Sequence, residues 1–160
     1  MSDEIDELDA RILNLMQEDA RLPLNDIADK VSSSRSAVWR RIQRMEEVGI
    51  IKNHTVTLDP AKVGLGVMVF AQVKMQAHSR DCLPNFIEKV RNFPEVIECH
   101  TLMGDIDFIV KVRVKDVQHY EKFFWDKLSP IDGVREISSS IALTAVKDTT
   151  KLKVLTNSGD

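Results

Sequence analysis

The chain has two cysteines in 160 residues, Cys82 and Cys99, and no C-x-x-C spacing, so there is no disulfide framework or structural zinc site to build on. Both read as buried thiols. No apolar run approaches the roughly 18 residues of a membrane span, and the opening MSDEIDELD is acidic where a secretion signal would be basic. A cytoplasmic protein is expected. The four histidines, His54, His78, His100 and His119, show neither metal-ligand spacing nor a nucleophile-base pattern. Gly64-x-Gly66 lacks the third glycine and the following helix of a dinucleotide fingerprint and reads as a linker bend.

What is present is ordinary globular material, 43% hydrophobic and 29% charged, enough for one or two small folded domains. The net charge of −3 hides a segregation: residues 1–29 carry nine acids and two arginines, whereas residues 30–54 carry six basic side chains and two glutamates. A compact positive segment inside an acidic chain is a possible electrostatic footprint for a polyanion.

Local pattern places that segment on a helix. Ile5, Leu8, Ile12, Leu15 and Met16 recur at helical spacing behind Asp6, Glu7 and Asp9, which suit a helix N-terminus. Pro23 opens a second helix over about 24–31 with Leu24, Ile27, Ala28 and Val31 inward, and Ser32-Ser33-Ser34 forms the turn. Ser34 caps a third helix over about 35–48 that Gly49 stops. Its inward residues are Val38, Ile42 and Met45, leaving Ser36, Arg40, Gln43 and Arg44 outward. No acid occurs between residues 35 and 45, so Arg35, Arg40, Arg41 and Arg44 should repel one another unless something negative lies opposite. The β-branched run from Ile50 to Leu58 then reads as a small wing hairpin, completing a winged helix-turn-helix over 1–60.

Beyond Asp59-Pro60 and a linker at 61–65 the pattern alternates. Strands are expected at about 66–76, 96–103, 106–115 and 134–146, with helices at 81–93 and 117–128, the latter capped by Asp116. Strand-helix-strand-strand-helix-strand is the order of a ferredoxin-like βαββαβ sandwich, here over 66–153, making the whole chain α+β. Val96, Leu102 and Ile109 are expected on the sheet face away from the helices, which would then be covered by the same face of a second copy. Residues 147–160 lack a strong pattern and read as a tail that frays.

Ile5-Asp6-Glu7-Leu8-Asp9 with Ile12-Leu13, the run Ala37-Val38-Trp39-Arg40-Arg41-Ile42-Gln43-Arg44-Met45-Glu46, and Gly49-Ile50-Ile51 together resemble the Lrp/AsnC transcription regulators. The second half agrees: Met103-Gly104-Asp105-Ile106-Asp107-Phe108 resembles that family's effector loop, and Gly133-Val134 precedes the last strand as it does there. The resemblance spans residues 4–153. It implies a DNA-binding domain and an amino-acid-sensing (RAM) domain, the latter forming dimers that assemble to tetramers, octamers or larger discs. It also implies a regulator of amino-acid metabolism rather than an enzyme, with an amino-acid effector and no cofactor or metal. Two departures stand out: Ser32-Ser33 replaces a glycine and an apolar residue in the turn, and Ile106 stands where an aromatic is common.

On this reading Arg40 and Gln43, beside Ser36, face base edges in the major groove, since arginine pairs with guanine and glutamine with adenine. Arg35, Arg41 and Arg44, with Lys52 and His54 of the wing, meet phosphates; a surface salt bridge is the alternative for Arg41. Trp39 is expected to pack at the core or domain edge rather than intercalate. In the second domain Leu102, Met103, Gly104, Asp105 and Asp107 form the effector loop, with Asp105 or Asp107 taking an ammonium. A plain hairpin turn is the competing reading. Ser138 and Ser140, with Ser139, either line the same pocket or make an ordinary polar strand face. Two other functions stay open: a tetrapyrrole enzyme resembling the siroheme decarboxylases, and an amino-acid-binding module without DNA binding.

Overall fold

The computed structural model describes residues 4–76 and 82–156; His78 and the first residue of the predicted 81–93 helix lie outside them. Two compact units emerge, one running to Val56 and rejoined by the segment from Lys147 onward, the other spanning Thr57–Val146. The later segment therefore sides with the helices rather than with the sheet. Among the described residues no helix is long and apolar enough to cross a membrane.

The first unit is three helices, α1 (Glu7–Glu18), α2 (Leu24–Val31) and α3 (Arg35–Glu47). Asp6 starts α1 with a reciprocal capping box, its carboxylate accepting from the Asp9 N–H at 2.8 Å while the Asp9 carboxylate accepts from the Asp6 N–H at 3.2 Å. Ser34 caps α3 by accepting from the Ala37 N–H, as its position predicts. Ile12, Val38 and Met45 are fully buried among Leu13, Ile27, Ala28 and Val31. The turn between α2 and α3 runs through Ser32 in the left-handed conformation, φ 55° and ψ 48°, a geometry that costs a non-glycine residue about 1 kcal/mol.

Residues 147–156 do not fray. Gln17 of α1 holds Leu152 at both ends, donating Nε2–H to its carbonyl at 3.1 Å and accepting its N–H at 2.7 Å. Lys151 meets Glu18 at 2.7 Å, and Val154 packs on the helical core. The expected wing hairpin is absent too: residues 52–59 are exposed, and no strand forms there. β-branched residues favour extended backbone, but a strand needs a partner to satisfy its N–H and C=O groups.

The second unit is a four-stranded antiparallel sheet, β1 (Val67–Met75), β2 (Val96–Thr101), β3 (Phe108–Val114) and β4 (Val134–Ala142), ordered β2-β3-β1-β4. This is the expected ferredoxin-like arrangement. Its core joins Val69, Ala71, Val73, Phe108, Val110 and Val112 of the central strands to Phe86 of α4 (Cys82–Arg91) and to Tyr120 and Phe123 of α5 (Val117–Phe123). The Phe86 and Phe108 rings lie 4.5 Å apart. Asp116 caps α5 through the His119 N–H. The expected 117–128 helix changes character at its end, where Phe124–Leu128 form a π turn in which the Ser129 N–H reaches the Phe124 carbonyl. Gly133 turns at φ 84° against Cys82, where a Cβ would overlap that side chain.

The sheet face away from the helices differs from expectation. Val96 packs into the core, and Leu102 lies in the loop after β2. Strand register gives that face Met68, Phe70, Gln72 and Lys74 of β1, Ile109, Lys111 and Arg113 of β3, and Ser138 and Ser140 of β4. Its centre is mixed, with Phe70 opposite Lys111 and Ile109 opposite Gln72, and Lys111 and Lys74 pair outward with Glu98 and Glu136 on the neighbouring strands. Cys82 is buried, but Cys99 is exposed on the edge strand β2.

Candidate functional site

The arginines of α3 divide into two groups. On one side Asp9, a carboxylate with no exposed surface, receives Arg41 at 2.9 Å and Arg44 at 2.5 Å. Arg41 also reaches Asp6 at 2.6 Å. These bonds to Asp9 and Asp6 outweigh desolvation and raise the Arg41 pKa further. Partial burial opposes the Asp6 charge, but the Asp9 N–H and the Arg41 guanidinium prevail and hold its carboxyl below the ordinary range. The acids missing from residues 35–45 are thus supplied by α1 and its cap, which removes the argument that all four arginines await an outside anion. Arg41 takes its salt-bridge alternative, and Arg44 shares it.

On the other side Arg35, Ser36 and Arg40 are exposed. Arg40 Nε leans back toward the Ser36 carbonyl at 3.4 Å. Gln43 is half-buried and donates Nε2–H to Glu46 at 2.9 Å; the other oxygen of Glu46 meets His54 Nε2, also at 2.9 Å. A glutamine tethered through one amide hydrogen keeps the second hydrogen and its carbonyl oxygen for another partner. Lys52 is exposed in the extended segment after α3. Trp39 corrects the expectation of core packing: 53% of it is exposed. Helical spacing could have shown this, because Ser36, Trp39, Arg40 and Gln43 fall at i, i+3, i+4 and i+7, within an arc of roughly 100°.

In the second unit the loop between β2 and β3 closes through Asp107. Its N–H donates to the Val73 carbonyl at 3.0 Å, its carbonyl accepts from the Leu102 N–H at 2.8 Å, and its carboxylate accepts from the Met75 N–H at 2.7 Å. One Asp107 oxygen is therefore committed to the sheet, and Asp105 is the exposed carboxylate of the loop, next to exposed Leu102 and Met103. Gly104 has φ 151°, outside the comfortable range of a side-chain-bearing residue. The serines separate. Ser138 and Ser140 share the open face with Gln72 and Phe70, whereas the Ser139 hydroxyl bonds the Tyr120 hydroxyl at 2.5 Å. Strand β1 lies between β4 and β3, so the serines stand about 10 Å from the strand that carries the loop. A groove of about 520 Å³ that the sequence did not announce runs between α4 and β2, lined by Ile87, Arg91, Cys99 and Thr101 among others but by no residue of 102–107. Among the described residues no cluster of His, Cys, Asp and Glu could hold a metal.

Comparison with known proteins places both units. Residues 5–46 match the AsnC-type helix-turn-helix domain, and residues 68–152 match the Lrp/AsnC ligand binding domain. The chain is 36% identical over 149 residues to the glutamate uptake regulatory protein of Zymomonas mobilis, covering 93% of this chain and 90% of that one. It is 37% identical over 146 residues to the proline dehydrogenase transcriptional activator of Rhodobacter capsulatus, covering 91% and 95%. A transcriptional regulator from Neisseria meningitidis, solved in complex with L-Met, superposes with a TM-score of 0.88 at 32% identity, covering 92% of this chain and 95% of that one. An AsnC family regulator from Agrobacterium tumefaciens superposes with a TM-score of 0.87 at 41% identity and the same coverage. With both domains matched in order over nearly the whole length, the chain belongs to the Lrp/AsnC family of transcriptional regulators.

Proposed function

We propose that this protein binds duplex DNA through the exposed half of α3 and that an amino acid bound by the sheet unit modulates its activity or assembly. Arg40 and Gln43 read base edges beside Ser36, while Arg35 and Lys52 contact phosphates, with His54 at the margin of that surface. Arg41 and Arg44 hold α3 on α1 and contribute positive potential more than direct contact. The observation that carries the reading is the division of α3: Arg41 and Arg44 are engaged by Asp6 and Asp9, whereas Arg35 and Arg40 project into solvent beside polar side chains. Asp6 and Asp9 thereby lie on the inner side of α3, and Glu46 is the acid that touches the outer surface, between Gln43 and His54.

For the sheet unit the support is chemical. Asp105 offers a carboxylate to an ammonium, and Gly104 leaves the loop backbone open. One relative bears the name of a glutamate uptake regulator, and one structural neighbour holds L-Met, so an amino acid is the effector class. The open sheet face, apolar at Phe70 and Ile109 and polar around them, is where a second copy packs, setting two copies of α3 at a fixed separation on the duplex. The protein acts as a regulator in the cytoplasm and not as a catalyst.

Binding to a duplex selected from a random pool tests the first half. Arg40→Ala should relax preference at one base pair, costing about 1–3 kcal/mol there, whereas Lys52→Ala should weaken all duplexes alike. Equal loss from both on every sequence would overturn the division of labour. For the second half, thermal shift against the twenty amino acids should reveal a stabilising ligand whose effect Gly104→Trp removes.

A further inference from the structure

A half-exposed tryptophan beside a polar, positively charged helix face is not spent on the apolar core of the helical unit. Trp39 projects from α3 with 53% of its surface exposed, although core positions on the same helix, Val38 and Met45, are completely buried. Its ring flanks the stripe opposite Arg40, with Ser36 and Gln43 between them, and all four residues lie in the first nine positions of α3. An indole so placed contacts whatever Arg40 and Gln43 contact.

We infer that Trp39 is a specificity-determining residue that packs its ring against the C5-methyl group of a thymine in the major groove. The inference rests on the DNA-binding reading given above and goes beyond it by assigning the base. Among the four bases only thymine presents an apolar group in that groove. A ring that loses water on docking gains by meeting a methyl group and loses by facing the amino, carbonyl and ring-nitrogen groups of the others. Intercalation is the less suitable geometry, because Ser36, Arg40 and Gln43 share one arc of α3 with Trp39, and wedging the ring between base pairs would draw them away from the base edges they read.

The test uses the full-length protein and a duplex it selects from a random pool. Each thymine of the selected site is replaced in turn by deoxyuridine, which removes the methyl and keeps the base pair. One symmetry-related pair of replacements should weaken wild-type binding about fourfold per methyl, the value of burying one such group. Trp39→Ala should bind the thymine and uracil duplexes equally, whereas Trp39→Phe, which keeps an apolar ring and lacks the indole N–H, should retain the thymine preference. If no uracil replacement weakens wild-type binding, or if Trp39→Ala responds to uracil as wild type does, the assignment is overturned while DNA binding stands. If wild-type protein selects and shifts no duplex, both fall. Should Trp39→Ala fold poorly, Trp39→Gln takes its place in the same comparison and should likewise bind the thymine and uracil duplexes equally, and a response like that of wild type overturns the assignment.

Discussion

The helical unit and the sheet unit solve the same problem, holding a functional surface rigid, by different means. The sheet unit does it with an apolar interior. Phe86, Phe108, Val69, Val73, Val110 and Val112 are dry, and backbone groups are paired within the strands. The helical unit places a charge inside: Asp9, at once the third residue of a capping box and the anchor of Arg41 and Arg44, is the one charged residue buried among those described. The three helices share an apolar core of Ile12, Leu13, Ile27, Val31, Val38 and Met45, and charge-assisted hydrogen bonds, which are directional where apolar contact is not, add the orientation of α3. The sheet unit is held by volume, the helical unit by volume and directional charge together.

The largest effect expected from this contrast is at Phe108. Phe108→Ala should cost about 3–5 kcal/mol, with amide hydrogen exchange accelerating in β1 and β3 while α1 to α3 keep their protection. Equal acceleration in the helices would merge the two units into one cooperative block and break the comparison. Next comes Asp9→Asn, which leaves Arg44 without its carboxylate and Arg41 with Asp6 alone. Because both arginines are partly solvated, about 2–3 kcal/mol should be lost in urea unfolding, less than for a fully buried pair. A loss near zero would mean that apolar packing orients α3 as it does the sheet.

Smaller effects sharpen the picture within the helical unit. Ser32→Gly should stabilise by about 1 kcal/mol, since glycine adopts the left-handed turn without Cβ strain; a lower melting temperature would point to a compensating role for the serine hydroxyl. The smallest effect is in acid. The Asp6 pKa is depressed in the folded state, so its contribution is complete above the ordinary unfolded value, roughly pH 4, and drains away as pH falls through the lower folded value. Asp6→Asn should flatten the stability profile in that window and leave its neutral limb parallel to wild type.

Legibility in the sequence followed the range of the interactions. The helix boundaries, the Ser34 and Asp116 caps and the strand order were readable because each rests on residues within one turn or one alternation. Of the positions that the same periodicity placed outward, Ser36 and Arg40 are exposed, whereas Gln43 is half-buried and Arg44 turns to Asp9. Asp9 as partner of Arg41 and Arg44 was invisible, since 32 to 35 residues separate them in the chain. For the same reason the commitment of Asp107 to Met75, the split between Ser139 and its neighbours, and the docking of residues 147–156 on α1 could not be foreseen. The wing failed differently: its residues favour extended backbone, but extension becomes a strand only when another segment pairs with it.

By itself the sequence determined the three helices of the first unit and the four strands of the second, the α+β order of the two domains, and the family, because apolar period, capping residues and motif spacing are properties of neighbours along the chain. Only the tertiary structure decided which arginines are free, which carboxylate of the loop is available and where residues 147–156 dock. Those outcomes depend on charges and volumes brought from distant segments, and a side chain is free or committed only once its surroundings are assembled.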